Sequence, residues 1–434
     1  MQGTPSGFAA LGVPDVLCSA LARNGITSAF PIQAASLPAS LAGRDVLGGG
    51  RTGSGKTLAF AIATVAVLMS SGSRRVARRP RALILVPTRE LATQVAEVTS
   101  ALTAAAGQRI TTVFGGVAQG RQVCALRAGV DVLVACPGRL EDLVGQGEVC
   151  LDAVEITVLD EADHMADLGF LPAVCRLLDR TPAGGQRLLF SATLDGDVDV
   201  LVRRYLSDPS VHSVDPARAS ISTMRHHVFT VESADKATVV RELASGRDRS
   251  LLFTRTKHAA RKLAKQLTAA GVPAVELHGD LSQKARDRNL AAFSTGSARV
   301  LVATDIAARG IHVDHVALVV HVDPPAEHKA YLHRSGRTAR AGAHGTVVTV
   351  CTPGQSREVR AMTRKAGITP AMAPVRPGAD QITVLTGPPA PHLAPAVPTA
   401  GTPRQRRTGQ TPADVSRRGS RRPSRRRPSR ASHR

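Results

Sequence analysis

Residues 50–57 read GRTGSGKT, and further along residues 156–163 read ITVLDEAD. The first string fits G-x-x-x-x-G-K-[ST]; the apolar DVLGG (45–49) precedes it and a helical run follows. In that strand–turn–helix setting Gly50, Thr52, Gly53, Ser54 and Gly55 form a turn whose successive backbone N–H groups wrap phosphate oxygens. The helix N-terminus adds its positive end. Lys56 then reaches the β and γ phosphates, and the Thr57 hydroxyl binds Mg²⁺. The second string puts Asp160 and Glu161 at the end of an apolar strand. There an Asp can hold Mg²⁺ opposite the phosphate loop, and the adjacent Glu can orient or activate an attacking water. A pair of acids after a strand is often only solvated. With a phosphate loop upstream in the same domain, the two strings read as one nucleotide-hydrolysing site.

Such a site needs strands to aim it. Short β-branched apolar runs alternate with longer amphipathic stretches across residues 40–350, among them ALILVP, DVLVAC, RLLFSAT, SLLFTRT, RVLVATD and GTVVTVC. Hydrophobicity that is continuous within each run means strands covered on both faces, as in parallel sheets. Two such series predict an α/β chain of two doubly wound domains, residues 1–206 and 223–370. Their functional side chains belong in loops after the carboxyl ends of strands. Between them LSDPSVHSVDPARASIS (206–222) has Pro, Ser and Asp without an apolar period, so 207–222 reads as linker. From 371 to 434 prolines accumulate, no aromatic residue occurs, and apolar clustering is almost absent beyond ITVLTG. Such a stretch buries too little surface to offset its ordering entropy, so a disordered Pro/Arg-rich tail is expected.

The formal charge of +22 calls for a polyanionic partner. Residues 401–434 alone hold twelve Arg against one Asp, half of the whole excess. The six cysteines show no C-x-x-C spacing and read as idle thiols of a reducing cytoplasm rather than zinc ligands or disulfides. The most apolar stretch, LAFAIATVAVLM (58–69), is too short to span a bilayer and continues directly from the phosphate turn, so it reads as a buried helix. No signal peptide is read at the N-terminus. A cytoplasmic protein without a membrane partner is expected.

Further strings accompany the first two. GITSAFPIQ (25–33), PTRELA (87–92), GG (115–116), CPGR (136–139) and SAT (191–193) lie in the first half. LLFTRTK (251–257), HGDLSQKAR (278–286), ATDIAARGIHVD (303–314) and HRSGRTARAG (333–342) lie in the second. In this order they resemble the motifs of the DEAD-box RNA helicases, over roughly residues 8–350. The resemblance implies two tandem RecA-like domains, with ATP and Mg²⁺ as cofactors. It also implies RNA-stimulated ATP hydrolysis coupled to local duplex unwinding or RNA–protein remodelling. Gln33 would donate to adenine N7 and accept from its 6-amino group, a match that guanine O6 would break. Phe8 would be the aromatic near the adenine pocket. Arg337 and Arg340 would be arginine fingers on the transferring phosphate, reached when the domains close. Asp163, Ser191, Thr193 and His333 would link the ATP site to that closure. RNA would lie on Pro87, Thr88, Arg89, Gly115, Gly116, Pro137, Gly138, Arg139, Gly279, Gln283, Arg286, Thr304 and Gly310. These residue types offer N–H, hydroxyl and guanidinium donors to phosphates and little capacity to read bases. With only eleven aromatic residues in the chain, base stacking is not expected, and contact with 2′-hydroxyls is what would favour RNA over DNA. The arginine-rich tail would add affinity for any RNA by counterion release. The sequence names no protein partner.

Several positions depart from the family's pattern. Ile26 and Ala29 replace an aromatic residue and a proline in the adenine motif, Cys136 replaces a threonine, and Ala339 replaces a glycine between the two fingers. His312 stands where the family places an aspartate on the ribose; an imidazole nitrogen can still bond a hydroxyl. None of these changes removes a catalytic charge. An ATP-gated RNA clamp or annealing chaperone needs the same motifs and remains the alternative to an unwinding enzyme. A DNA translocase would carry inserted modules or aromatic-tipped hairpins, and a non-catalytic binder would have lost Lys56, Glu161 or Arg337.

Overall fold

The computed structural model describes residues 7–50, 53–191, 196–213, 224–308, 316–339 and 344–391. Two seven-stranded sheets carry the fold, and every pairing in them is parallel. The strands of the first are β1 (Val46–Gly49), β2 (Ala82–Leu85), β3 (Ile110–Val113), β4 (Val132–Ala135), β5 (Ile156–Asp160), β6 (Gln186–Ser191) and β7 (Ser210–Ser213). The second holds β8 (Met224–Thr230), β9 (Ser250–Phe253), β10 (Ala274–Leu277), β11 (Val300–Ala303), β12 (Leu318–His321), β13 (Gly345–Cys351) and β14 (Ala371–Pro374). Their spatial orders are β3-β4-β2-β5-β6-β1-β7 and β10-β11-β9-β12-β13-β8-β14. Each strand of the second sheet occupies the place of the strand seven earlier in the first. The chain contains one architecture twice.

Alternation along the strands explains the apolar runs. In β6, Leu188 and Phe190 face one core with Ile62 and Phe60, while Leu189 faces the other with Met165 and Val174. In β9, Leu252 and Phe253 divide in the same way between the two cores of the second sheet. With helices on both faces each side chain removes its surface from water, worth about 1.5–3 kcal/mol apiece. The apolar run 58–69 lies within the helix Lys56–Ser70, which is buried along most of its length. Among the described residues no helix is long and apolar enough to cross a membrane. Part of the basic excess is also structural. At the amino edge of the first sheet the buried Arg81 is held by Asp131, Glu155 and the Leu68 carbonyl. Buried Arg187 is held by Thr157, Thr181 and the Pro182 carbonyl.

Two expected boundaries move. The linker expected at 207–222 gives up Ser210–Ser213, which pairs with β1 as the edge strand β7; residues 214–222 lie outside the described residues. The tail expected from 371 gives up β14, which pairs with β8, and a helix, Asp380–Thr386, which buries Ile382 in the core of the second lobe. That helix begins just before ITVLTG. β7 is held by backbone pairing with β1 while its one apolar residue, Val211, stays exposed, and the short covering helix needs only one apolar face, so neither registers as a hydrophobic run. Residues 392–434 lie outside the described residues.

Gly48, in the middle of β1, lies against Phe190, and a Cβ there would sit 2.3 Å from the ring. Phe190 itself packs on Phe60, ring centroids 5.5 Å apart. Gly48→Ala should therefore destabilise the first lobe by about 1–3 kcal/mol through overpacking. Urea unfolding of the single variant measures this, and an unchanged midpoint would show that Phe190 can turn aside.

Candidate active site

The chemistry collects where three adjacent strands end. Because β6 lies between β1 and β5, its last residue, Ser191, stands beside Gly49, while Phe190 stands beside Asp160. The Ser191 carbonyl accepts the Gly50 N–H at 3.0 Å, and its Oγ accepts the Asp163 N–H at 3.3 Å. One buried serine thus joins the start of the phosphate loop to the DEAD tetrapeptide.

Around it lies a cavity of about 320 Å³, lined by Gln33, Gly53, Gly55, Lys56, Thr57, Asp160 and Glu161 together with Ile26, Phe30 and, from the helix Arg89–Ala105, Leu91, Gln94 and Val98. Gly55 takes a left-handed φ of 92°, and a Cβ on it would meet Gln33 Nε2 at 2.5 Å. The Gln33 amide accepts from the Phe30 N–H at 2.9 Å and donates to the Gly55 carbonyl at 3.0 Å. An amide has two N–H bonds and two oxygen lone pairs, so one of each remains for a base. Buried Lys56 donates to the Gly50 carbonyl. Ser54 sits against Gly50; Thr52 lies outside the described residues.

The adjacent acids are driven apart. Burial pushes the Asp160 carboxyl up to about 7, against the pull of Lys56. Burial also acts to raise Glu161, yet the His164 hydrogen bond and the charges of His164, Arg337 and Lys56 bring it down to about 2. Glu161 adopts a left-handed backbone, φ 52° and ψ 51°, at the turn into the helix Ala162–Asp167. That conformation costs a non-glycine residue roughly 1–2 kcal/mol, in keeping with strain held at a working site. Phe8 is not on the cavity wall. It is buried in the core with Val13 and Leu17, because the turn Phe8–Leu11 folds back on the first helices. The aromatic ring on the wall is Phe30, half exposed, which its place in GITSAFPIQ could have signalled.

The second lobe reaches the same place. His333 Nε2 stands 3.7 Å from Asp163 Oδ2, and Arg337 is buried with its Nε donating to the His333 carbonyl at 3.3 Å. Between them Arg334, passed over in the sequence, is the anchor. It forks onto Asp305, donates to the Asp323 carbonyl at 2.7 Å and lies 5.2 Å over the Phe253 ring. Arg340, His312, Gly310 and Thr193 lie outside the described residues.

The remaining assigned residues follow β2, β3 and β4, the other half of the first sheet's carboxyl edge. Thr88 caps its helix by accepting the Leu91 N–H at 3.3 Å, and Pro87 is buried behind it. The Arg89 guanidinium lies 4.8 Å over Phe114 and so close to Gly116 that a Cβ there would be 2.7 Å from Nη1. Its Nε and Nη1 are buried without a hydrogen-bond partner among the described residues, and burial lowers its pKa. Arg139 donates to the Val117 carbonyl at 3.2 Å, tying the Gly115–Gly116 loop to the Pro137–Gly138 turn. On the second lobe Gly279 and Thr304 follow β10 and β11, while Arg286 and Gln283 both donate to Glu90 of the first lobe, at 3.0 and 3.3 Å. Glu90 sits inside PTRELA and was missed as an inter-lobe contact; nothing local in its spacing points across to the other domain.

Comparison with known proteins agrees with this arrangement. Residues 30–201 match the DEAD/DEAH box helicase family and residues 235–342 the helicase conserved C-terminal domain. The chain is 39% identical over 358 residues to the ATP-dependent RNA helicase RhlB of Pseudomonas syringae, covering 81% of this chain and 90% of that protein. It is 41% identical over 369 residues to the chloroplastic DEAD-box ATP-dependent RNA helicase 3B of Zea mays, covering 83% of this chain but only 49% of the maize protein. Among solved structures, S. cerevisiae Dbp5 bound to RNA and ADP BeF3 superposes with a TM-score of 0.77 at 27% identity, over 87% of this chain and 98% of that one. The chain belongs to the DEAD-box ATP-dependent RNA helicases.

The helicase's departures from the family pattern can now be located. Ala339, which stands where a glycine is usual, holds a φ of 54°. It carries the conformation without the residue that adopts it freely, at roughly 1–2 kcal/mol. Cys136 is buried at the end of β4, and burial pushes its thiol up to about 12, so it contributes no anion there. Ile26 lines the cavity beside Phe30. The fork of Arg334 is open to test. Arg334→Lys replaces a planar fork by a point charge. Loss of its charge-assisted bonds should cost about 1.5–3 kcal/mol of stability. RNA-stimulated ATPase should fall with it, because the helix His328–Ser335 carries His333 and leads into Arg337. Thermal unfolding and steady-state ATPase check both effects.

Proposed function

We propose that the helicase uses the cleft above β5, β6 and β1 to hydrolyse ATP, and that the hydrolysis drives local separation of RNA duplexes or remodelling of RNA–protein complexes. The observation that carries this is the meeting of His333 and Arg337 with Asp163 and Glu161. The site is complete only with groups from both lobes. Lys56 and the loop N–H groups hold the phosphates. Glu161, kept ionised, orients the attacking water. Arg337 supplies positive charge to the transferring phosphate, and the Gln33 amide selects adenine. Mg²⁺ suits the oxygen donors present, the buried Asp160 carboxylate and the Thr57 hydroxyl, with phosphate and water completing its shell. Among the described residues no group of three or more His, Cys, Asp or Glu offers an all-protein metal cage. When bound, Mg²⁺ would neutralise phosphate charge.

For RNA, the buried and unpartnered donors of Arg89 favour a phosphate lying across the loops after β2, β3 and β4. A backbone-directed, sequence-independent grip follows from donors of this kind. We further propose that residues 392–434 add non-specific affinity by counterion release, and that the protein works in the cytoplasm.

Lys56→Ala should abolish hydrolysis. Glu161→Gln should retain ATP and RNA binding while turnover falls about 10²–10⁴-fold; near-normal turnover would remove Glu161 from the water-orienting role. Arg337→Ala should leave ATP binding nearly intact and lower RNA-stimulated turnover by about 10³-fold or more, whereas equal loss of binding and turnover would make it structural. Separation of a blunt RNA duplex at catalytic enzyme levels distinguishes unwinding from clamping. Truncation after residue 391, which spares the helix Asp380–Thr386, should leave maximal ATPase unchanged. It should also raise the RNA concentration for half-stimulation and flatten the salt dependence of binding. Identical salt slopes would leave the tail without an RNA role.

A further inference from the structure

The helix Ala162–Asp167 follows directly on Glu161, and its third residue, His164, is buried to 3% exposure. His164 Nδ1 lies 3.1 Å from Glu161 Oε2, a contact between residues three apart across the helix start. Its other ring nitrogen, Nε2, is buried with no hydrogen-bond partner among the described residues. A buried polar atom without a partner is unfavourable, and an apolar side chain would fill this site without that cost. The imidazole is therefore not explained by packing. What it does offer is Nδ1.

The carboxylate of Glu161 is ionised and only accepts, so Nδ1 must carry the proton and donate. That hydrogen bond restrains the Glu161 side chain, whose backbone is left-handed at the helix start. The backbone N–H of His164 is itself tied to Asp163 Oδ1 at 3.0 Å, and the Asp163 N–H to Ser191 Oγ at 3.3 Å. The imidazole is thus referred to the same frame as the phosphate loop.

We propose that His164 is a positioning residue for ATP hydrolysis, which holds the Glu161 carboxylate in the orientation that aims the attacking water. It touches neither phosphate nor water, and acts through Glu161 alone. The proposal rests on the water-orienting role of Glu161 argued above.

The test compares His164→Leu, His164→Asn and His164→Gln in the full-length protein, with Glu161→Gln alongside. Asn can place its amide nitrogen where Nδ1 stands, whereas Gln places it nearer Nε2. His164→Leu should lower RNA-stimulated kcat about 10- to 100-fold, the cost of a misplaced catalytic group. KM for ATP, and RNA affinity with a non-hydrolysable ATP analogue, should stay within about two-fold. His164→Asn should recover most of kcat and His164→Gln should not. Thermal unfolding of His164→Leu should match or exceed that of the parent, since the unpartnered nitrogen is gone. A His164→Leu enzyme with parental kcat overturns the proposal, as do Asn and Gln variants of equal activity. If His164→Leu fails to fold, the Asn and Gln pair decides alone. Normal turnover in Glu161→Gln would instead overturn the role of Glu161 itself, so the two failures are distinct.

Discussion

The register of three parallel strands is the constraint on which the rest depends. With β6 between β1 and β5, the phosphate loop and the acids are held two strand spacings apart, about 10 Å. That gap suits phosphates, a cation and a water. Ser191 fixes it chemically, since its carbonyl takes the Gly50 N–H and its hydroxyl takes the Asp163 N–H. Glycine at 48 lets Phe190 lie flat behind this join, so the strand that carries the serine is braced from the core side.

The same sheet divides its carboxyl edge. The segments after β5 and β1, with the helix that follows β2, line the nucleotide cavity, and loops after β3, β4 and β2 present Gly and Arg donors. The second sheet repeats the strand order, and the repeat is functional as well as architectural. His333 and Arg337 lie in the connection from β12 to β13, the counterpart of the β5 to β6 connection that holds the DEAD tetrapeptide. Equivalent segments of the two lobes thus face one another, His333 against Asp163. Glu90 with Arg286 makes a second crossing at the other half of the edge.

Within the site, environment assigns different tasks to neighbouring acids. Asp160 has Lys56 nearby, yet burial dominates and its carboxyl rises to about 7, a group that gains from a cation. Glu161 is a little more exposed, has His164, Arg337 and Lys56 around it, and falls to about 2. An acid held that low is a poor proton acceptor and a good fixed acceptor of hydrogen bonds, which suits the water-orienting role proposed for it.

The sequence by itself determined the fold class, the two lobes and the nucleotide motifs, because each rests on local signals: continuous apolar runs for buried parallel strands, and glycines with Lys and Thr for a turn before a helix. The same locality explains its errors. Phe8 and Phe30 are both single aromatics near the adenine motif, and only the path of the turn Phe8–Leu11 sends one into the core and leaves the other on the cavity wall. Edge strands β7 and β14 are held by pairing with β1 and β8, and the helix Asp380–Thr386 by burying Ile382, all against elements distant in sequence, so composition alone marked them as linker or tail. Arg334 and Glu90 sit inside motif strings and His164 directly follows DEAD, but nothing in the spacing names their partners, which are Asp305, Arg286 and the carboxylate of Glu161. Which charge meets which, and therefore which acid stays ionised, depends on burial and on distances across the fold. Those are set by the folded arrangement, since neither quantity is a property of spacing along the chain.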